Sequence, residues 1–170
     1  GQNPATYVIG YKHRRRSRVL LPDELPRFHA ALAQEPNSVI RQAISMLLYT
    51  GARKMNVFAM HWGDIEVERR VWTIPDTKNG EPHTVALTDE AMHVLAEAKP
   101  RCSVYVFPSS GNTGHIMDIK GAWQRLLDRA GIDELWVHDL RRTVGTYMAN
   151  LGANQAQIAH QLGHKDLQSA

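Results

Sequence analysis

The sequence has little cysteine and no long hydrophobic segment. Among its 170 residues there is one cysteine, Cys102, so no disulfide can form within the chain. No apolar run approaches the roughly 20 residues that a membrane-spanning helix needs, and no secretory signal pattern opens the sequence. We therefore predict a cytoplasmic protein, and the length suits one globular domain.

Signatures of nucleotide and metal binding are also missing. No glycine-rich phosphate loop follows a predicted strand, so the sequence does not support nucleotide-dependent chemistry. His160 and His164 stand four residues apart, as zinc ligands do on a helix, but the segment between them lacks the glutamate of the metalloprotease motif. Gly163 also predicts a helix end between the two histidines. We predict no metal site and no cofactor.

Positive charge is concentrated at the start of the chain. The formal net charge is only +3, and residues 1–18 contain no acidic residue. Five basic residues lie there: Lys12, Arg14, Arg15, Arg16 and Arg18. We predict that residues 1–18 form a basic arm that binds DNA phosphates without choosing a sequence. A solvated linker explains the charge alone equally well.

Apolar residues recur at helical spacing in most of the chain. We predict helices within residues 20–35, 38–51, 88–99, 119–131 and 140–151, and a shorter one after Asn154. Gly51 and Gly131 mark helix ends, and Thr88 and Asn154 are predicted helix caps. In the helix of residues 140–151 we expect a buried stripe that consists of Leu140, Val144, Tyr147, Met148 and Leu151.

Between these helices the helical spacing of apolar residues stops, and the sequence there predicts a small sheet. Residues 71–87 read "VWTIPDTKNGEPHTVAL", two runs rich in strand-forming residues on either side of Asn79-Gly80, which is a strong signal for a tight hairpin. The segment "DIEVE" predicts a third strand. Because the strands are adjacent in sequence, we predict an α+β fold, mostly helical with a three-stranded antiparallel sheet.

Three segments bring cations to the ends of predicted elements. "VHDLRR" places His138 and Arg141 at a helix start, where unpaired N–H groups favour an anion. "TGAR" places Arg53 directly after a helix end, and "TKNG" places Lys78 beside the hairpin turn. A planar guanidinium suits two oxygens of a phosphate. Pairing of Arg141 and its neighbour with local carboxylates is the simpler alternative.

The ordered set of these motifs resembles the catalytic domain of the tyrosine recombinases, the phage-type integrases. The resemblance spans residues 19–170, and the matched pieces are T-G-x-R at Arg53, a hairpin lysine at Lys78, H-x-x-R at His138 and Arg141, and L-G-H at His164. It implies the fold of the DNA breaking-rejoining enzymes. It also implies that residues 1–18 link this domain to an N-terminal DNA-binding domain.

The resemblance implies a chemistry as well. Family members cleave one DNA strand by attack of a tyrosine on a backbone phosphate, which leaves a 3′-phosphotyrosyl link, without metal or ATP. Arg53 and Arg141 would stabilise the charge of the transition state. Lys78 would protonate the leaving 5′-oxygen, His138 would assist proton transfer at the phenol, and His164 would bind the phosphate. The implied partner is double-stranded DNA at attachment sites, bound by a tetramer.

Two features depart from the family pattern. The nucleophilic tyrosine lies beyond the L-G-H histidine in relatives, and the sequence reaches Ala170 without one there. We expect residues 1–170 by themselves to be monomeric and unable to cleave DNA. Asn56 also stands where many relatives carry an acid that orients the first arginine.

Two other functions remain open on the sequence alone. "NQAQIAHQLGH" resembles the first helix and turn of a helix-turn-helix, so a DNA-binding regulator with a basic arm is one alternative. It leaves Arg53 and Lys78 without a role. A type IB topoisomerase, which shares the same active-site chemistry, is the other.

Overall fold

The computed structural model describes residues 17–75, 81–98 and 103–163. Within these residues, helices surround a small sheet, which confirms the predicted α+β fold. The elements in chain order are α1 (Glu24–Ala33), α2 (Ser38–Thr50), α3 (Lys54–Phe58), β1 (Ile65–Glu66), β2 (Val71–Ile74), β3 (His83–Ala86), α4 (Asp89–Ala98), α5 (Lys120–Ala130), α6 (Val137–Asn150) and α7 (Gln155–Leu162).

The sheet is an antiparallel meander in the order β1-β2-β3. The pairing of β2 with β3 runs from Val71 opposite Ala86 to Ile74 opposite His83, as the predicted hairpin requires. The predicted turn at Asn79-Gly80 lies outside the described residues. β1 is shorter than "DIEVE" suggested, because a turn closed by a hydrogen bond from Arg70 N to Val67 O reverses the chain after the second residue.

Side-chain caps and left-handed glycines set the predicted starts and ends of several helices. The hydroxyl of Thr88 accepts a bond from Ala91 N at 3.3 Å, and the Asn154 side chain accepts one from Gln157 N at 2.9 Å. Gly51 and Gly131 end α2 and α5 in the left-handed conformation, with φ of +65° and +60°. α3, which the sequence did not predict, is a single short helix after Arg53.

The core lies between the helices and one face of the sheet. α1 packs on α5, where Phe28 and Trp123 meet edge to face at 5.9 Å, and α2 packs on α4 and α6. Glu35 is almost fully buried near the end of α1, and its charge is paired with Arg125 and Arg129 of α5. Of the helices described, none is long and apolar enough to span a bilayer.

The predicted buried stripe of α6 is wrong at its end. Leu140 is fully buried, but Leu151 is 87% exposed. The stripe residues between them are only partly buried, because this stretch of α6 lines an open apolar groove of about 540 Å³ with Leu25 and Leu48. Helical spacing identified the apolar side of α6 but not how far the neighbouring elements extend along it.

The end of α2 makes a close contact that requires glycine. A Cβ on Gly51 would lie 2.6 Å from Leu162 Cδ2 and 3.0 Å from Val144 Cγ1, and the φ of +65° disfavours any side chain. Gly152 has a φ of +89° and nothing within 4 Å of a built Cβ. A side chain at Gly51 would cause both steric overlap and backbone strain, whereas a side chain at Gly152 would cause backbone strain alone.

We expect Gly51→Ala to lower the free energy of unfolding by about 2 to 4 kcal/mol, the sum of left-handed strain and overlap in a packed interior. Gly152→Ala, the matched control, should lower it by about 1 kcal/mol, from strain alone. Urea unfolding of both variants measures the difference. Equal losses of unfolding free energy in the two variants would show that α7 does not pack closely against the end of α2.

Candidate active site

Arg53 is positioned by the sharp end of α2. Gly51 turns the chain out of the helix, and Arg53 follows in extended conformation as the residue before α3. Its side chain is partly buried, and among the described residues no hydrogen bond or ion pair holds its guanidinium. Asn56 makes no hydrogen bond to Arg53, so the orienting role considered for this position is not filled in the described structure. Within the described residues, the Arg53 guanidinium is therefore available to an added anion.

The start of α6 is held by Asp139. This carboxylate is 1% exposed, accepts a bond from Trp136 N at 2.9 Å and pairs with Arg142 at 2.8 Å. The bond to the backbone N–H closes the first turn of the helix. The simpler alternative, pairing with a local carboxylate, is therefore correct for Arg142. It is wrong for Arg141, which points elsewhere.

Arg141 is buried between the ends of two helices. Its side chain donates to Gly51 O, at the end of α2, at 2.9 Å and to Leu162 O, at the end of α7. Carbonyl groups at helix ends carry partial negative charge and favour a cation. These bonds fix the guanidinium with only 7% of the residue exposed. Arg141 thereby connects α2, α6 and α7.

The charge of Arg141 is only partly compensated by these carbonyls. Burial, and then the positive charge of nearby Arg53, lower the pKa of Arg141 to about 10. It still carries its charge at neutral pH. In the described part of the chain, neither arginine has a carboxylate partner. Two neighbouring guanidiniums without a counterion form a site that an anion with several oxygens would stabilise.

His138 lies beside this pair. Burial lowers the pKa of His138, and the charges of Arg142, Arg141 and Arg53 lower it further against the opposing effect of Asp139. The imidazole is therefore neutral at neutral pH. A neutral imidazole can accept a proton, which agrees with the proton-transfer role that the family resemblance implies. The structure thus brings Arg53, His138 and Arg141 together.

The other predicted site residues have different outcomes. Lys78, His164, Lys12, Arg14, Arg15 and Arg16 lie outside the described residues. Arg18 is described, and its guanidinium forms a two-bond pair with Glu24 at 2.6 and 2.8 Å and donates to Asp133 O at 3.2 Å. Arg18 thus anchors the start of the domain, a role that charge clustering did not reveal. Its DNA-binding role stays a prediction.

Sequence reasoning missed two residues at the edge of this site. His83 opens β3, and burial followed by charges that include Arg141 and Arg53 lowers its pKa. Gln161, in the last turn of α7, bonds both β3 and the end of α2. Neither belongs to a motif, and only the fold reveals that they meet.

Comparison with known proteins identifies the family. Residues 18–170 match the model of the phage integrase family. The chain belongs to this family. It is 28% identical over 153 residues to the prophage integrase IntF of Escherichia coli K12, covering 86% of the chain and 32% of IntF. It is 30% identical over 152 residues to the integrase of Salmonella phage P22, covering 81% of the chain and 38% of that integrase.

A solved structure has the same fold. The Tn1549 transposon integrase in complex with circular intermediate DNA superposes with a TM-score of 0.75 at 18% identity, over 92% of this chain and 62% of that one. The phage integrase domain spans about a third of the length of the two relatives above. Because the family model covers α7 together with the rest of the domain, α7 needs no separate helix-turn-helix role.

The anion site predicts a specific response to inorganic phosphate. At ten times its dissociation constant, phosphate should raise the free energy of unfolding by about 1.4 kcal/mol, because it binds only the folded state. We expect Arg53→Ala to abolish this gain. Thermal unfolding in sodium phosphate against a buffer of equal ionic strength measures it.

Arg69→Ala is the matched control, because Arg69 makes an exposed ion pair with Glu66 and belongs to none of the motifs. It should keep the full phosphate response. If Arg53→Ala and Arg69→Ala respond to phosphate alike, the effect comes from general salt exclusion and not from the paired guanidiniums.

The lowered pKa of His138 predicts a loss of stability in mild acid. The folded state binds the proton less well than the unfolded state, so stability is full above the unfolded pKa of about 6.5 and falls as the pH drops below it. His138→Gln should flatten this slope more than the exposed His93→Gln does. Urea unfolding between pH 7.5 and 5 measures the slopes, and equal slopes would contradict the assignment.

Proposed function

We propose that this phage integrase domain carries out site-specific DNA recombination by strand cleavage and rejoining. The observation that supports the proposal most directly is the pair Arg53 and Arg141, one free and one buried, with no carboxylate between them in the described residues. A backbone phosphate has two non-bridging oxygens and one negative charge, which suits two guanidiniums. The proposed substrate is duplex DNA at attachment sites.

The proposed chemistry is one phosphoryl transfer and its reversal. A tyrosine oxygen attacks the phosphorus, the bond from phosphorus to the 5′-oxygen breaks, and a 3′-phosphotyrosyl link forms. His138 receives the phenol proton, and Lys78 gives a proton to the leaving 5′-oxygen. Arg53 and Arg141 stabilise the charge that grows on the non-bridging oxygens, while His164 binds the same phosphate. Attack by a 5′-hydroxyl reverses these steps and rejoins a strand.

We propose that none of the described tyrosines is the nucleophile. The hydroxyl of Tyr147 is buried without a hydrogen-bond partner among the described residues, and burial raises the pKa of both Tyr147 and Tyr49. A raised phenol pKa opposes the ionisation that attack requires. Tyr105 packs between the rings of His61 and His115, at 4.4 and 4.8 Å. The nucleophile is therefore proposed to lie after the L-G-H motif, as the family resemblance implies.

The proposal also includes the oligomeric state and the cellular location. We propose that residues 1–170 by themselves bind duplex DNA as a monomer, without cutting it, and that the full-length gene product recombines DNA as a tetramer. Salt should weaken the binding strongly, since phosphate neutralisation releases counterions. The proposed location is cytoplasmic, with the DNA substrate.

A suicide substrate tests the proposal. The full-length gene product is incubated with nicked duplex DNA that carries its attachment site, and a denaturing gel shows whether protein stays linked to DNA. We expect a covalent band that Arg53→Ala and Arg141→Ala each reduce by at least a hundredfold, since each removes stabilisation of the transition state. Arg69→Ala, the control, should leave the band unchanged.

The other outcomes are equally informative. Tight sequence-specific binding without a covalent band would contradict strand cleavage and favour a DNA-binding regulator. A covalent band formed by residues 1–170 alone would contradict the proposed position of the nucleophile. Relaxation of supercoils by the wild type, without any requirement for an attachment site, would favour a type IB topoisomerase.

A further inference from the structure

A second set of hydrogen bonds joins β3 to the last turn of α7. The ring of His83 bonds to Gln161 O through Nε2 at 3.2 Å. Since a carbonyl oxygen can only accept, Nε2 carries the hydrogen and donates it. The Gln161 side chain donates to Thr50 O and to Ala86 O, each at 3.2 Å, and accepts from Ala86 N at 3.3 Å.

Close packing accompanies these bonds. Gly163 ends α7 with a φ of +66°, and a Cβ built on it would lie 2.8 Å from Cδ2 of the His83 ring. The ring therefore rests on the backbone of Gly163, a position that no larger residue leaves open. The ring of His160 meets it edge to face at 6.1 Å. His83 and the end of α7 thus form one contact of bonds and packed surface.

The residues of this contact are close in sequence to the remaining site candidates, Lys78 and His164. His83 pairs with Ile74 in the register of the hairpin whose connecting residues include Lys78. On the other side, Gly163 is followed in sequence by His164. The residue between Gln161 and Gly163 is Leu162, whose carbonyl accepts a bond from Arg141. A displacement of this turn would remove one of the two carbonyls that hold Arg141.

We infer that His83 and Gln161 are a positioning pair that fixes the last turn of α7 against β3, so that the Leu162 carbonyl holds Arg141 in the geometry used for phosphoryl transfer. The inference rests on the proposed recombinase activity. Neither residue is assigned a contact with DNA or a proton-transfer step. Both act on Arg141 through the Leu162 carbonyl.

The test compares binding with cleavage in the full-length gene product on the nicked suicide substrate. His83→Leu and Gln161→Met remove the bonds and keep apolar bulk. We expect each to slow formation of the covalent complex by about ten- to a hundredfold at saturating DNA, since misplacement of about 1 Å has effects of this size. The dissociation constant for DNA should stay within about threefold, because both guanidiniums remain.

Two further variants distinguish positioning from general support of the fold. His83→Gln keeps an N–H near the place of Nε2 and should restore most of the cleavage rate. The double variant should be no slower than the slower single variant, because both substitutions break the same contact. Gln155→Met, the matched control, replaces an exposed glutamine in the first turn of α7 and should cleave at the wild-type rate.

The outcomes separate this inference from the proposed function. If the wild type forms no covalent complex, recombination and the inference both fail. If it does and His83→Leu and Gln161→Met cleave at the wild-type rate, only the inference fails. It also fails if cleavage and DNA affinity fall in the same proportion in every slow variant, or if the two substitutions add independently, since the pair would then be only part of the fold.

Discussion

The site depends on a buried positive charge that, among the described residues, is held by carbonyl groups instead of a carboxylate. Arg141 sits where the ends of α2 and α7 converge, and each end offers it one carbonyl oxygen. A carboxylate would hold the guanidinium more strongly but would also cancel its charge. Dipolar partners orient the group and leave most of its charge available to an anion. The positive charge of Arg141 is therefore already in position before an anion binds.

The surrounding structure is built to make that convergence possible. The left-handed Gly51 lets α7 approach the end of α2 within a distance that no side chain allows. Gly145 does the same on α6, where an added Cβ would come within 3.2 Å of Leu162. Asp139 fixes the first turn of α6, from which Arg141 extends. Gly51, Gly145 and the buried Asp139 carboxylate therefore determine the position of the Arg141 guanidinium.

Local interactions explain which parts the sequence could predict. Caps at Thr88 and Asn154 and the antiparallel hairpin follow from contacts between residues near each other in the chain, so pattern and spacing reveal them. The motif residues were found because ordered cations at element ends resemble a known family. The partners of Arg141, the exposure of Leu151 and the bond from His83 to Gln161 depend on distant segments. Helical spacing carries no information about them.

The fixed position of Arg18 limits how far the basic residues before it can extend. Its paired guanidinium ties the chain to Glu24 and to the loop at Asp133. A fully extended chain gains at most about 3.6 Å per residue, so the backbone of Lys12 can lie no farther than about 22 Å from that of Arg18. On duplex DNA that distance spans about six base pairs, given about 3.4 Å per base pair. Any phosphate contacts made by the proposed basic arm must therefore fall within this short distance of Arg18.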